Sequence, residues 1–332
     1  MVMDKERRAI YVWKAIAILS VVSAHVAGVN QNDPDLLKAC AKVLESWGTF
    51  GVPAFLITAG FLYEGSLHRH DLKYILSNKL KGLGIPWLVC GSIVWGYVVI
   101  RKGGASFGGW FQFIVGNTSY LYYMTVLTIL YLIYSIIHKR EIFVYIGFIV
   151  WIINYVMGTI KGFRTDISPY LNVITWSGWF LLGTVIQNKK LQTKILYVTR
   201  KTWILCGTFV LGYIFLLCSK LQALSYWDIL YPLIEIALLF AICYITSLVS
   251  KKLNEESIIT KIGKNSFSIY LLHMPVAGIT ANLMNRFYVG RYIYFFRPII
   301  VLLITYLMIV LGEKIAYIVK MQNAYCVAIG KR

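Results

Sequence analysis

Two ionisable residues stand inside the first long apolar run of the chain, Lys14 and His25, eleven residues apart. On an α-helix that spacing is three turns plus roughly 20°, so the pair shares one face with about 16 Å between them along the axis. An imidazole can take a proton from a hydroxyl near neutral pH and so turn it into a nucleophile. His25 equally fits a histidine hydrogen-bonded within a bundle, and Lys14 fits a side chain snorkelling to headgroups. Asp228 and Glu235, seven residues apart, also share a helical face. They suit holding a cation, orienting a histidine or binding sugar hydroxyls, while Asp228 also fits an interfacial residue and Glu235 a pair inside the bundle. His273 stands two residues before Pro275, where a proline bends a helix and frees backbone carbonyls. A basic stretch, His68–Trp87, carries Arg69, Lys73, Lys79 and Lys81; it suits either anionic lipid or the phosphates of a nucleotide-like donor. No serine triad, Walker loop or metal-ligand spacing is present, so no metal is expected.

The elements that hold these residues follow from composition. Of 332 residues, 58% are hydrophobic, and mean hydropathy is +0.67, which excludes an ordinary soluble protein. Apolar runs long enough to cross a bilayer recur along the chain, at roughly 10–29, 47–65, 83–100, 118–137, 142–160, 169–187, 202–219, 227–250, 267–286 and 293–311. Backbone groups in lipid must be satisfied within the element, and the alternation of barrel strands is missing. The expected fold is therefore all-α, a polytopic transmembrane bundle of about ten helices forming one membrane-embedded domain over residues 1–332.

A net charge of +19 would suit a nucleic-acid partner, but the Lys and Arg residues concentrate in segments on one side of the proposed spans. That is the positive-inside bias, with both termini in the cytoplasm, so no nucleic acid is expected and membrane lipids are the surrounding partner. On this topology His25 lies toward the outer face and His273 on the cytoplasmic half of the ninth span. The first run, with Lys14 and His25 inside it and no small-residue cleavage site, reads as a retained span and not a signal peptide. Cys40, Cys90, Cys206, Cys218, Cys243 and Cys326 are scattered without redox or metal pairing. Trp47, Trp87, Trp110, Trp151, Trp176, Trp203 and Trp227 near span ends read as interfacial anchors. Arg101–Gly109 reads as a flexible outer loop.

Five blocks carry a resemblance: Ile10–His25, Gly48–Tyr63, Asn78–Val89, Tyr120–Ile133 and Gly263–Val276. In order and character they resemble the acyltransferase-3 family of bacterial membrane acyltransferases. The resemblance implies a ten-helix domain that transfers acyl groups, commonly acetyl from acetyl-CoA, to sugar hydroxyls of surface or exported glycans. It implies that His25 is catalytic and that Lys14, at the place usually held by arginine, handles the acyl donor. The family's arginine pair before the third span maps onto Lys79 and Gly82, with Lys81 as the available substitute, and Tyr11 stands where an aspartate is usual. Lysine keeps the charge but not the bidentate geometry of arginine.

The expectation is thus a membrane O-acyltransferase, with His25 as general base and Glu235, His273 and Asp228 in support. Its co-substrate would be acetyl-CoA or another acyl-CoA, with no permanently bound cofactor. Its acceptor would be a glycan or lipid-linked glycan, and its place the bacterial plasma membrane. A transporter of a small polar solute, or a flippase-like protein for glycans, is the competing expectation; it would make the Asp228/Glu235 face matter more than His25.

Overall fold

The computed structural model describes residues 2–28, 34–139, 141–160, 168–220, 230–286 and 294–331. Among them the chain is helical with no strand. In order come α1 (Val2–Val26), α2 (Asp35–Gly48), α3 (Gly51–Leu67), α4 (Leu72–Lys79), a π-helical segment (Leu80–Gly84) and α5 (Ile85–Lys102). There follow α6 (Phe107–Val115), α7 (Tyr122–Ile137), α8 (Glu141–Thr159), α9 (Val173–Ile186), α10 (Lys189–Lys220) and α11 (Leu230–Lys252). The last are α12 (Ile258–Lys264), α13 (Ser266–Arg286), a 3₁₀ turn (Tyr294–Phe296), α14 (Arg297–Ile318) and α15 (Gln322–Ile329).

A helix lies in each of the ten expected stretches, of which residues 29, 227–229 and 293 fall outside the described residues. Among the described residues, seven helices are long and apolar enough to cross a membrane, and Tyr122–Ile137 and Val173–Ile186 are shorter apolar helices. Helix α10 covers the expected stretch 202–219 but is not among those seven. Large apolar side chains such as Ile100, Ile136, Leu205, Phe215 and Leu307 stand exposed on these helices, as a surface solvated by lipid tails requires. The chain is a polytopic all-α membrane protein.

Hydropathy did not reveal the helices between the spans. Helix α2 buries Leu37, Ala41 and Leu44 on one face, packed with Ala27 and Tyr294; its charges lie elsewhere, so its average hydropathy is unremarkable. The glycine-rich loop is shorter than expected. After Lys102 only Gly103–Ser106 leave the helix, with Gly103 and Gly104 at positive φ, and the Ser106 side chain caps α6 by accepting from Gly109 N at 3.0 Å. Trp151 and Trp176 are buried, not interfacial, their indole N–H groups donating to Thr175 O and Tyr170 O. Trp227 lies outside the described residues.

The chain clusters into two compact units. The first comprises Met1–Phe55, Gln192–Ser225 and Leu230–Gly312. Its centre is α1, whose Val12, Ala17, Ile18, Val21 and Val22 are buried and which packs against α2, α11, α12 and α13. Small residues permit the approach: a Cβ on Gly48 would lie 2.5 Å from Ala24 Cβ, and one on Gly263 would lie 1.8 Å from Tyr11 O. The Ser20 hydroxyl, within reach of Trp47 O at 2.8 Å and Gly48 O at 3.2 Å, ties α1 to the end of α2.

The second unit comprises Leu56–Leu191, Tyr226–Ile229 and Glu313–Arg332. Helices α3 and α9 cross on Gly60 and Gly183, and Trp151 of α8 lies over Gly178 of α9. Helix α15 returns to α5, where Cys90 Sγ donates to Ala328 O at 3.4 Å, and Lys331 pairs with Glu313.

Candidate active site

In the first unit the structure brings two histidines together. His25 sits in the last turn of α1 and its side chain is exposed. His273 of α13 is fully buried. Their ring centroids are 5.1 Å apart at a 45° tilt. The sequence-based depths had separated them, and α12 explains the difference. Gly263 meets Tyr11 at one level, and from there His25 is about 21 Å along α1 and His273 about 15 Å along the other helix. Counting depth from Ile258, where the paired helices α12 and α13 begin, carries His273 much further into the span than counting from residue 267.

The tautomer of His273 is set by its own helix. Its Nδ1 lies 2.7 Å from Tyr270 O; a carbonyl only accepts, so Nδ1 carries the proton and in the neutral ring Nε2 is an acceptor. A buried ring of fixed tautomer beside an exposed ring of the same kind resembles the base-and-orienter pairing by which a nucleophile is activated.

Arg297, which sequence reasoning missed, stands at the same end of these helices. Its Nη1 donates to Val26 O at 3.2 Å and its Nη2 to Ala277 O at 3.4 Å. Val26 follows His25, and Ala277 is one turn along α13 from His273. No role for Arg297 followed from the sequence; its position near the edge of an apolar run was the only available signal.

The other expected residues are distributed differently. Lys14 is half-buried on the same unbroken helix as His25, so the shared stripe holds. Glu235 of α11 is fully buried and its Oε1 accepts a hydrogen bond from the Thr49 hydroxyl, which also lies 2.8 Å from Ser46 O. That joins Glu235 to the junction of α2 and α3. Asp228 lies outside the described residues.

Lys79 belongs to the second unit. Its Nζ donates to Tyr131 OH at 3.1 Å and stands 4.5 Å from the Tyr131 ring centroid and 5.6 Å from that of Tyr63, a cation held by two aromatic faces. Lys81 is exposed within the π-helical segment that follows Lys79. Among the described residues no group of three or more His, Cys, Asp or Glu side chains is arranged to hold a metal.

A family model described as an acyltransferase domain matches residues 7–313, nearly the whole chain, and that range includes Lys14, His25, Lys79, Glu235, His273 and Arg297. No curated protein and no solved structure matches.

Proposed function

We propose, from the premise that the chain belongs to the acyltransferase-3 family, that it moves an acyl group from cytoplasmic acyl-CoA to a hydroxyl of a cell-surface or exported glycan, with His25 as general base. That it is a membrane acyltransferase follows from the family and the helices. The acetyl donor, the glycan acceptor, a bacterial inner membrane and cytoplasmic termini belong to our reading.

The observation that carries it is the exposed His25 ring against the buried His273 ring. In the proposed step His25 removes the acceptor hydroxyl proton as the oxygen attacks the thioester carbonyl; the C–O bond forms, the C–S bond breaks, and the sulfur leaves with CoA. His273 acts on His25 and not on substrate: its buried ring stands against the neighbouring ring, and in the reacting complex its Nε2, an acceptor by tautomer, takes the N–H that orients the base. Lys14, inward on the same stripe, handles the donor. Glu235 is engaged by Thr49 and is assigned a scaffold role.

The first experiment is mass spectrometry of surface glycans from cells lacking the gene and from the same cells carrying it again. An acyl-sized mass lost and regained supports the proposal and identifies the acyl group; identical glycans in both sink it. For His273, alanine is expected to lower kcat about tenfold or more with little change in KM, while His273→Gln, whose amide still offers an acceptor, keeps more of the rate. Equal losses in both variants would remove the orienting role.

Lys79 and the exposed Lys81 are proposed as cations for donor phosphates. Lys79→Met is expected to raise KM for acyl-CoA about tenfold with kcat retained, the pattern of lost uniform binding. An unchanged KM would return Lys79 to a packing role over its tyrosines.

A further inference from the structure

Arg297 carries a charge that no carboxylate among the described residues neutralises. A cation at the edge of a hydrocarbon-length span is costly unless it is paired or finds other compensation. Here the guanidinium has two backbone carbonyls at 3.2 and 3.4 Å, and among the described residues no carboxylate forms an ion pair with it. Its Nε is buried with no hydrogen-bond partner among the described residues. Five N–H donors in a planar fork are thus only partly used, and that fork matches the oxygens of a carboxylate or phosphate.

Its position gives the charge a use. The carbonyls that hold it belong to Val26 and Ala277, one residue past His25 and one turn past His273 in the direction α1 and α13 run. On the proposed topology that is the acceptor's side of the histidine pair. The first turn of α14, where Arg297 sits, adds its own positive potential.

We infer that Arg297 binds an anionic group on the acceptor, so that the substrate class is a hydroxyl compound carrying a carboxylate or phosphate close to the acylated position. The inference rests on the acyl-transfer reading and adds to it a charge requirement. Bidentate contact fixes the acceptor's orientation as well as its affinity, which places one hydroxyl before His25 and leaves others out of reach.

The test uses the full chain in nanodiscs with acetyl-CoA and three matched acceptors: methyl β-D-glucoside, its 6-phosphate, and methyl β-D-glucuronide. Wild type is expected to favour a charged acceptor over the neutral one by about tenfold or more in kcat/KM, mainly through KM, as a charge-assisted contact would give. The better of the two anions identifies carboxylate or phosphate as the source. Arg297→Gln is expected to bring the charged-to-neutral ratio close to one, and Arg297→Lys, which keeps the charge but not the fork, to retain part of it. Equal use of all three acceptors by wild type overturns the inference, as does a ratio that survives in Arg297→Gln while overall rate falls, since that is the mark of a structural tie. If Arg297→Gln does not fold, the ratio in Arg297→Lys decides: undiminished, it overturns the inference. If wild type acylates none of the acceptors, the glycan mass spectra above judge the acyl-transfer reading, and for Arg297 binding decides alone. A charged sugar must then raise the melting temperature of wild type more than the neutral one does, and Arg297→Gln or Arg297→Lys must reduce that difference; any other result overturns the inference.

Discussion

His25→Ala is expected to reduce acyl transfer by about a hundred- to ten-thousandfold, the range over which a positioned general base contributes. Cells carrying the variant should show the glycan masses of the deletion strain. The expectation is sharp because the two readings of this histidine predict opposite results. A packing histidine, once truncated, would cost stability. His25 is exposed in the last turn of its helix, and alanine is the best helix former, so the variant should reach the membrane in wild-type amount with an unchanged melting temperature. Normal assembly with lost turnover assigns the residue to the chemistry. Normal assembly with retained turnover removes His25 from it and turns attention to the solute-transport reading, whose assay is uptake without acyl-CoA.

Why the sequence disclosed the helices better than the site is visible in particular residues. Each expected span became a helix because twenty apolar residues in lipid have few other ways to satisfy their backbone. The Lys14–His25 stripe was equally legible, since both residues lie on one continuous helix and periodicity needs no partner. The meeting of His25 with His273 depends on where α13 begins in depth, and that is set by α12, a seven-residue helix whose N-terminus is capped by Ser257 and which hydropathy does not register. Arg297 was hidden for a different reason: a long basic side chain at a span end can snorkel to headgroups, and nothing in the sequence shows that its guanidinium turns instead to the carbonyls of Val26 and Ala277. Lys79 and Lys81 lie two residues apart in the sequence, and only the structure shows that one rests on Tyr131 while the other is exposed. Trp151 and Trp176 sit where belt residues sit in the sequence, yet they fill the packing around α8 and α9, where glycine leaves room for an indole. Local chemistry and period are one-dimensional and can be read directly. Depth, register between helices and the fate of a single side chain are set by neighbours distant in the chain.

Substitutions at Gly60 and Gly183 should damage the protein severely, in a direction opposite to helix propensity. In the second unit these glycines face each other's helices: a Cβ on Gly60 would lie 2.0 Å from Phe180 O, and one on Gly183 would lie 2.1 Å from Ile57 O and 2.9 Å from Phe61 N. The obstructing atoms are backbone, so no rotamer change relieves the clash, and α3 and α9 have to move apart. Neighbouring aromatic contacts depend on that approach, since Phe180 lies within ring-contact distance of Tyr63, Tyr131 and Tyr134. Propensity alone would make glycine-to-alanine changes stabilising by about 1 kcal/mol. Gly207→Ala and Gly212→Ala on α10, where a Cβ meets nothing within 4 Å, should therefore be neutral or slightly stabilising. Gly60→Ala and Gly183→Ala should instead cost about 1–3 kcal/mol or more, as overpacking does, and Gly183→Leu should leave little monodisperse protein. Melting curves of the five variants in one detergent check this directly. Equal behaviour of the two glycine pairs would mean that α3 and α9 do not approach so closely, and the aromatic cradle around Lys79 would lose its support along with them.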